Sequence, residues 1–426
     1  MLRTPILLTL SFRRINEAHV KKLRFIPRSS GFTLVELIVV MAVFMTVLII
    51  SAQAFNNILS NSSRLTRSEE SNIEGIIGLE VMRHDLEQMG FGLPWGFSGS
   101  IDYKEATQSD ESMNDKPDGV PRAFVGYYNY SSAIIGVKAS SVGTEKAAQR
   151  WSYIPFMNYS AATKESRPVN LGATSPQPGD RVIALKTSFN NHTTASLRMS
   201  GSNSFYFNYN TTGYIHDDFL PANDQETNFV YALSNDKILM PFNRADFFVS
   251  TSAGAVPGFC APGTGVLYKA TVKNTETGGG GYIYIPLVDC VASMQVVLGW
   301  SSNAGMDVVQ DSVSTYTSLP FLGNTKIEVK GSGAGTPLSG SDILDWFNNK
   351  DAKRIREQLK VVKVYILAQE GKRDSSYTFP QNKIIIGNDD EKSLTREYTL
   401  TDEQRHYRWK LYRLIVKPKN LVSNQR

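Results

Sequence analysis

Side chains able to do chemistry are few in this chain, and most stand in incomplete patterns. Gly96-Phe97-Ser98-Gly99-Ser100 narrowly misses the G-x-S-x-G spacing of a nucleophile elbow. No strand–turn–helix pattern surrounds it to lift the serine hydroxyl out of a sheet. Gly278–Gly281 and Gly331-Ser332-Gly333-Ala334-Gly335 could offer backbone N–H groups to a phosphate. Neither ends in the lysine and hydroxyl residue of a P-loop, and the second runs into Pro337, so both read as turns. Asn114-Asp115-Lys116-Pro117-Asp118-Gly119 and Asn388-Asp389-Asp390-Glu391 hold oxygens that suit calcium. Their spacing differs from that of an EF-hand loop, and they read as solvated turns. His216-Asp217-Asp218 is a lone cluster that reads as surface. Cys260 and Cys290 form no CxxC pattern and the five histidines are scattered, which argues against a zinc site. These patterns imply no catalytic group, no metal and no cofactor.

One carboxylate stands out by its surroundings. Glu36 lies in the run Phe32–Ile50, whose other polar members are Thr33 and Thr46. A charge in hydrocarbon costs on the order of 3 kcal/mol or more without a partner, so Glu36 is a functional candidate. Two roles are open to it. It can pair with the free α-amino group of a chain beginning at Phe32, or it can reach the lipid headgroups from near the helix end. The run is long enough to cross a bilayer core as a helix. Seven basic residues and one acid precede it in residues 1–31, and it contains no basic residue. The positive-inside rule then keeps residues 1–31 in the cytoplasm and sends the bulk of the chain across. A secretory signal loses its basic and apolar parts together. Here Gly31 stands between the two, so a cut after it would remove the charge and keep the helix. Such a helix can leave the membrane only by packing against copies of itself or relatives.

Gly31-Phe32-Thr33-Leu34-Val35-Glu36 and the apolar run after it resemble the processing site of type IV prepilins and of type II secretion pseudopilins. The resemblance implies cleavage by a prepilin peptidase between Gly31 and Phe32, N-methylation of Phe32, and an assembly contact through Glu36. Two features depart from the family pattern. The leader is long; a start at Val20 from an alternative codon would leave a short one with Lys21, Lys22, Arg24 and Arg28. Gln53 stands where many major pilins have a helix-kinking proline, which points away from the major fibre subunit.

Net charge is +5, but the leader alone carries +6, which leaves residues 32–426 at −1. Bulk electrostatics therefore give no ground for nucleic-acid binding. Residues 353–426 keep an excess of 17 basic over nine acidic groups, read as a solvated face. Outside the cytoplasm the two cysteines can close a loop of about 30 residues, worth about 3–4 kcal/mol. The alternative is two buried free thiols.

Helical character continues past the membrane. Residues 55–89 lack proline, and Ile58, Leu65, Ile73, Ile76, Ile77, Leu86 and Met89 form a loose stripe, weakened locally by Gly75 and Gly78. Gly90, Gly92 and Pro94 end it. Residues 98–120 read as a loop. Strand-like runs follow at 123–128, 133–137, 151–156, 181–187, 204–209, 229–233, 245–249, 265–272, 281–298, 358–368 and 409–416, with one short helix at 341–357. The fold class is α+β: a long amino-terminal helix, transmembrane then amphipathic, followed by a large β-sheet-rich globular domain. Its divisions are a basic leader 1–31, a membrane and assembly helix 32–90, and an extracytoplasmic domain 91–426 with an elaboration at about 95–245.

Three later pieces, Pro286–Val296, Gln358–Glu370 and Arg408–Leu421, resemble in order and spacing the minor pilin family called PilW. With residues 32–92 they imply a non-enzymatic minor pilin that helps prime or assemble a type IV pilus, at its tip. The implied partners are other minor and major pilins, the prepilin peptidase and the inner membrane. The implied location is a single-pass inner-membrane protein that ends in a surface pilus. A type II secretion pseudopilin, or a membrane-anchored adhesin or enzyme, remains as an alternative.

Overall fold

The computed structural model describes Gly31 and residues 33–107, 111–129, 132–156, 168–188, 191–201, 203–210, 215–252, 254, 256–301, 313–320, 327–329, 338–387 and 393–421. The chain divides into two compact units, 1–62 and 63–426. In order, the elements are α1 (Leu34–Gln88), β1 (Gly96–Phe97), β2 (Phe124–Asn129), β3 (Ser132–Ala139), β4 (Trp151–Pro155), β5 (Arg181–Ser188), β6 (Asn191–Leu197), β7 (Phe207–Asn208), β8 (Glu226–Ser234), β9 (Asn243–Ser250) and β10 (Gly265–Val272). There follow β11 (Tyr282–Trp300), β12 (Thr315–Ser318), β13 (Ile327–Val329), α2 (Gly340–Asn348), α3 (Ala352–Gln358), β14 (Leu359–Glu370), β15 (Lys383–Ile386), β16 (Arg396–Thr399) and β17 (Arg408–Val416).

In the first unit, every large apolar side chain of α1 from Leu34 to Ile50 is 47–74% exposed. Leu34–Ser63 is long and apolar enough to cross a membrane. This surface calls for lipid or other helices to cover it.

The second unit is built on a nine-stranded sheet in the order β13-β12-β11-β10-β9-β3-β2, with β14 and β17 continuing from β11. Strand β14 shows why both faces are covered. Val362, Val364, Ile366 and Ala368 enter the main core, while Tyr365 and Leu367 enter a second core with Ile386, Leu400 and Trp409. A strand buried on both sides has a near-continuous apolar run, and Val361–Ala368 is one, broken only by Lys363. Leu79, Met82 and Leu86 of α1, with Met89 just after it, join the main core beside Ile135, Phe247, Leu267 and Met294. A smaller sheet, β1-β6-β5-β8-β4 with β7 on β5, has its own core of Ile154, Val182, Val230 and Ala232.

The strand-like runs form strands, with different bounds in places. Only Phe207–Asn208 of 204–209 is extended into a sheet. The helical stretch at 341–357 is two helices, because Lys350 between them has φ +57, which a helix cannot continue. Strand β6 has no sequence signature: Asn191-His192-Thr193-Thr194 lacks an apolar face.

Candidate assembly site

Thr33 caps the start of α1 through its side chain. The Glu36 backbone N–H donates to Thr33 Oγ1 at 3.3 Å, and that hydroxyl lies 3.5 Å from Glu36 Oε2. Spacing of three residues lets the Thr33 hydroxyl accept from the Glu36 N–H, which satisfies a donor that the first helical turn leaves open. The sequence reading missed this local role, although the Thr-x-x-Glu pattern was there to signal it. Gly31 and Glu36 are both exposed. A carboxylate at a helix amino end also suits the positive pole of the helix dipole. Residues 1–30 and Phe32, the leader and the expected methylation point, lie outside the described residues.

Residues 26–52 match the prokaryotic N-terminal methylation motif. The chain carries a type IV pilin-like amino terminus. That motif spans the expected cut at Gly31 and the apolar half of α1, and it is characteristic of type IV pilin-like proteins in general. No curated protein and no solved structure matches the chain. The architecture agrees with the motif: a membrane-length helix, then a sheet-rich domain.

The second half of this pilin-like helix is seated on the sheet by glycine and charge. A Cβ on Gly78 would stand 2.0 Å from the Leu287 carbonyl oxygen, so only glycine fits there. One on Gly75 would stand 3.1 Å from the Tyr412 hydroxyl. The two glycines that weaken the helix in sequence are thus where it lies against β11 and β17. Past them, Asp85 pairs with Lys269 of β10 at 2.5 Å, both groups buried. The Lys419 N–H donates to the Glu87 carbonyl at 3.0 Å. Gly90, at φ +84, turns the chain out of the helix. Arg356 of α3 donates to the carbonyls of Pro94 and Leu93 at 2.6 and 2.9 Å and lies 3.8 Å over the Trp95 ring, which fixes the exit.

Cys260 and Cys290 are joined in a disulfide, 30 residues apart. It ties the turn before β10 to the middle of β11. Losing it in Cys260→Ser/Cys290→Ser is expected to cost about 3 kcal/mol of stability, read as a lower urea midpoint of the full chain in detergent.

The 98–120 loop holds no helix or strand among the described residues, yet a buried charge network pins it to the sheet. Lys138 Nζ on β3 donates to Glu105 Oε1 at 2.8 Å and to Asp115 Oδ2 at 2.6 Å. Arg122 holds the other Asp115 oxygen at 2.5 Å. Arg244 joins Glu105 at 2.9 Å to Asp246 at 2.7 Å, and the Tyr282 hydroxyl donates to Asp246. Three cations thus meet three carboxylates. Burial alone would push the Asp115 carboxyl up, but Lys138 and Arg122 outweigh it and hold the group below the ordinary carboxylate range. Burial likewise opposes the Arg244 charge, and Asp246 and Glu105 override it and raise the guanidinium.

The other candidates have local roles. Asp115, part of a suggested calcium turn, is engaged by Lys138 and Arg122. Ser98 Oγ accepts from the Met199 N–H at 3.0 Å. His216 Nδ1 accepts from the Asp218 N–H at 3.3 Å and caps a short turn. Gly279 and Gly280 take positive φ in the β10–β11 turn. Residues 331–335 and 388–391 lie outside the described residues.

Proposed function

We propose that this protein is a minor pilin of the PilW type, a non-enzymatic subunit that primes or assembles a type IV pilus and sits at its tip. The observation that carries this is the methylation motif placed on a helix whose apolar surface, Leu34–Ile50, the chain itself leaves uncovered. In this cycle the leader 1–31 stays in the cytoplasm while the domain 91–426 crosses the inner membrane. Peptidase cuts after Gly31, and Phe32 becomes a methylated amino terminus. Glu36 then pairs with the terminal ammonium of an adjacent pilin and sets the register. That pairing removes the cost of a lone carboxylate in hydrocarbon, and the helix 32–90 moves from lipid into a bundle of other minor and major pilins. The disulfide supports this orientation, since such bonds persist in oxidising compartments.

Glu36→Ala separates assembly from processing. Expected is normal cleavage and normal amounts in the membrane, with at least a tenfold loss from filaments, on the order of 1.4 kcal/mol or more. Immunoblots of sheared filaments and of membranes check it. The role itself is tested by deleting the protein from its source cell, counting surface filaments and assaying exported proteins in one culture. Loss of filaments with export intact is expected. Failed export with filaments intact would instead indicate a secretion pseudopilin, and no change in either would indicate an anchored adhesin or enzyme.

A further inference from the structure

Cys290 has φ +54 in the middle of a strand. A non-glycine residue in this left-handed region costs about 1–2 kcal/mol, and such backbone persists only where its surroundings impose it. The residue sits in an irregular stretch of β11. On β10 the partners step from Gly265 to Leu267 to Tyr268, while on β11 they step from Val291 to Val288 to Pro286. Strand β11 therefore holds one extra residue between Val291 and Val288, where Cys290 lies, and a second at Leu287. Left-handed backbone inside a bulge is a position that glycine ordinarily fills. Leu287, the second extra residue, is the one whose backbone presses on Gly78 of α1. The bond's other end is also held: the Ala261 N–H donates to Gln369 Oε1 at 2.6 Å, and Gln369 Nε2 donates to the Phe259 carbonyl at 3.1 Å.

We propose that the Cys260–Cys290 disulfide is a conformational lock that holds Cys290 in left-handed backbone, keeps the double bulge of β11 pressed on Gly78, and so makes the seating of α1 on the sheet conditional on oxidation. In the dithiol chain Cys290 relaxes towards extended backbone, the bulge shifts and the Leu287 carbonyl leaves its place against Gly78. Oxidation proceeds by exchange with a disulfide-bonded donor. One thiolate attacks a donor sulfur, the second displaces the mixed disulfide, and the donor leaves as a dithiol carrying the two electrons and two protons. The lock does not depend on which machine the protein serves. It couples the posture of the helix to arrival in an oxidising compartment.

The test separates backbone conformation from cross-linking. Full-length Cys260→Ser/Cys290→Ser and Cys260→Ser/Cys290→Gly lack the bond equally, but only glycine adopts φ +54 without strain. Amide exchange is measured in detergent over α1 residues 79–88 and over β14 residues 364–368, against the oxidised parent. With Cys290→Ser, α1 is expected to lose about tenfold more protection than β14 loses. With Cys290→Gly, the two segments are expected to lose protection equally. Equal loss in the serine variant overturns the proposal, since the bond would then be an ordinary cross-link. Excess loss from α1 in the glycine variant also overturns it, since left-handed backbone would then be insufficient to seat the helix.

Discussion

Gly78→Leu is expected to detach the second half of α1 from the sheet and cost at least about 3 kcal/mol. The group in the way of a Cβ is the Leu287 backbone carbonyl at 2.0 Å, which no side-chain rotation can move aside. Relief requires either shifting β11, whose neighbours Val288 and Val291 are in the main core, or lifting the helix. Lifting it exposes Leu79, Met82 and Leu86, each worth about 1.5–3 kcal/mol when fully buried, and breaks the Asp85–Lys269 pair. Gly75→Ala is the internal control. Its Cβ meets only the far end of the Tyr412 side chain, the hydroxyl at 3.1 Å and Cζ at 3.5 Å, and alanine improves helix propensity by about 0.8–1 kcal/mol. The Gly75 variant is expected to stay within about 1 kcal/mol of the parent. Urea unfolding of the full chain in detergent, followed by tryptophan fluorescence, measures both.

Lys138→Met is expected to cost about 3–5 kcal/mol near neutral pH, because it leaves two buried carboxylates short of their shared cation. Glu105 keeps Arg244 and Asp115 keeps Arg122, but each loses its bond to the Lys138 ammonium. The pH dependence has a definite sign. The folded Asp115 pKa is lowered, so the parent has this contribution in full above the unfolded value of about 3.9 and loses it as pH falls through the lower folded value. In the variant, burial of Asp115 is opposed by fewer cations, and its carboxyl takes up a proton more readily on acidification. The gap between parent and variant should therefore be widest near pH 7 and narrow as pH falls towards 4. A gap that is constant across this range would contradict the network's role.

The amino-terminal half of the site was readable because its signals are local. A basic run, a glycine, a phenylalanine and an apolar stretch with one carboxylate stand within 30 residues, and each has a physical meaning without its fold. Most strands were readable for a related reason: β2, β10, β14 and β17 carry apolar or aromatic side chains on a face that must be covered. What stayed hidden depends on distant neighbours. Gly75 and Gly78 look like defects in a helix until Tyr412 and Leu287 are brought against them. The 98–120 loop looks like polar filler, yet Glu105 and Asp115 are core residues there because Lys138, Arg122 and Arg244 arrive from other segments. Strand β6 is polar at Asn191–Thr194, so its pairing is set by β5 and β1 rather than by its own periodicity. The Lys350 break between α2 and α3 has the same character, since lysine itself favours helix.

The most direct measurement is the mass of the amino-terminal peptide of the protein recovered from its source-cell membranes. A chain that begins at N-methylated Phe32 and retains the apolar run to Ile50 is the expected result. A chain that still carries residues before Phe32, or one that begins beyond Ile50, would contradict processing at Gly31 and, with it, assembly through the exposed helix.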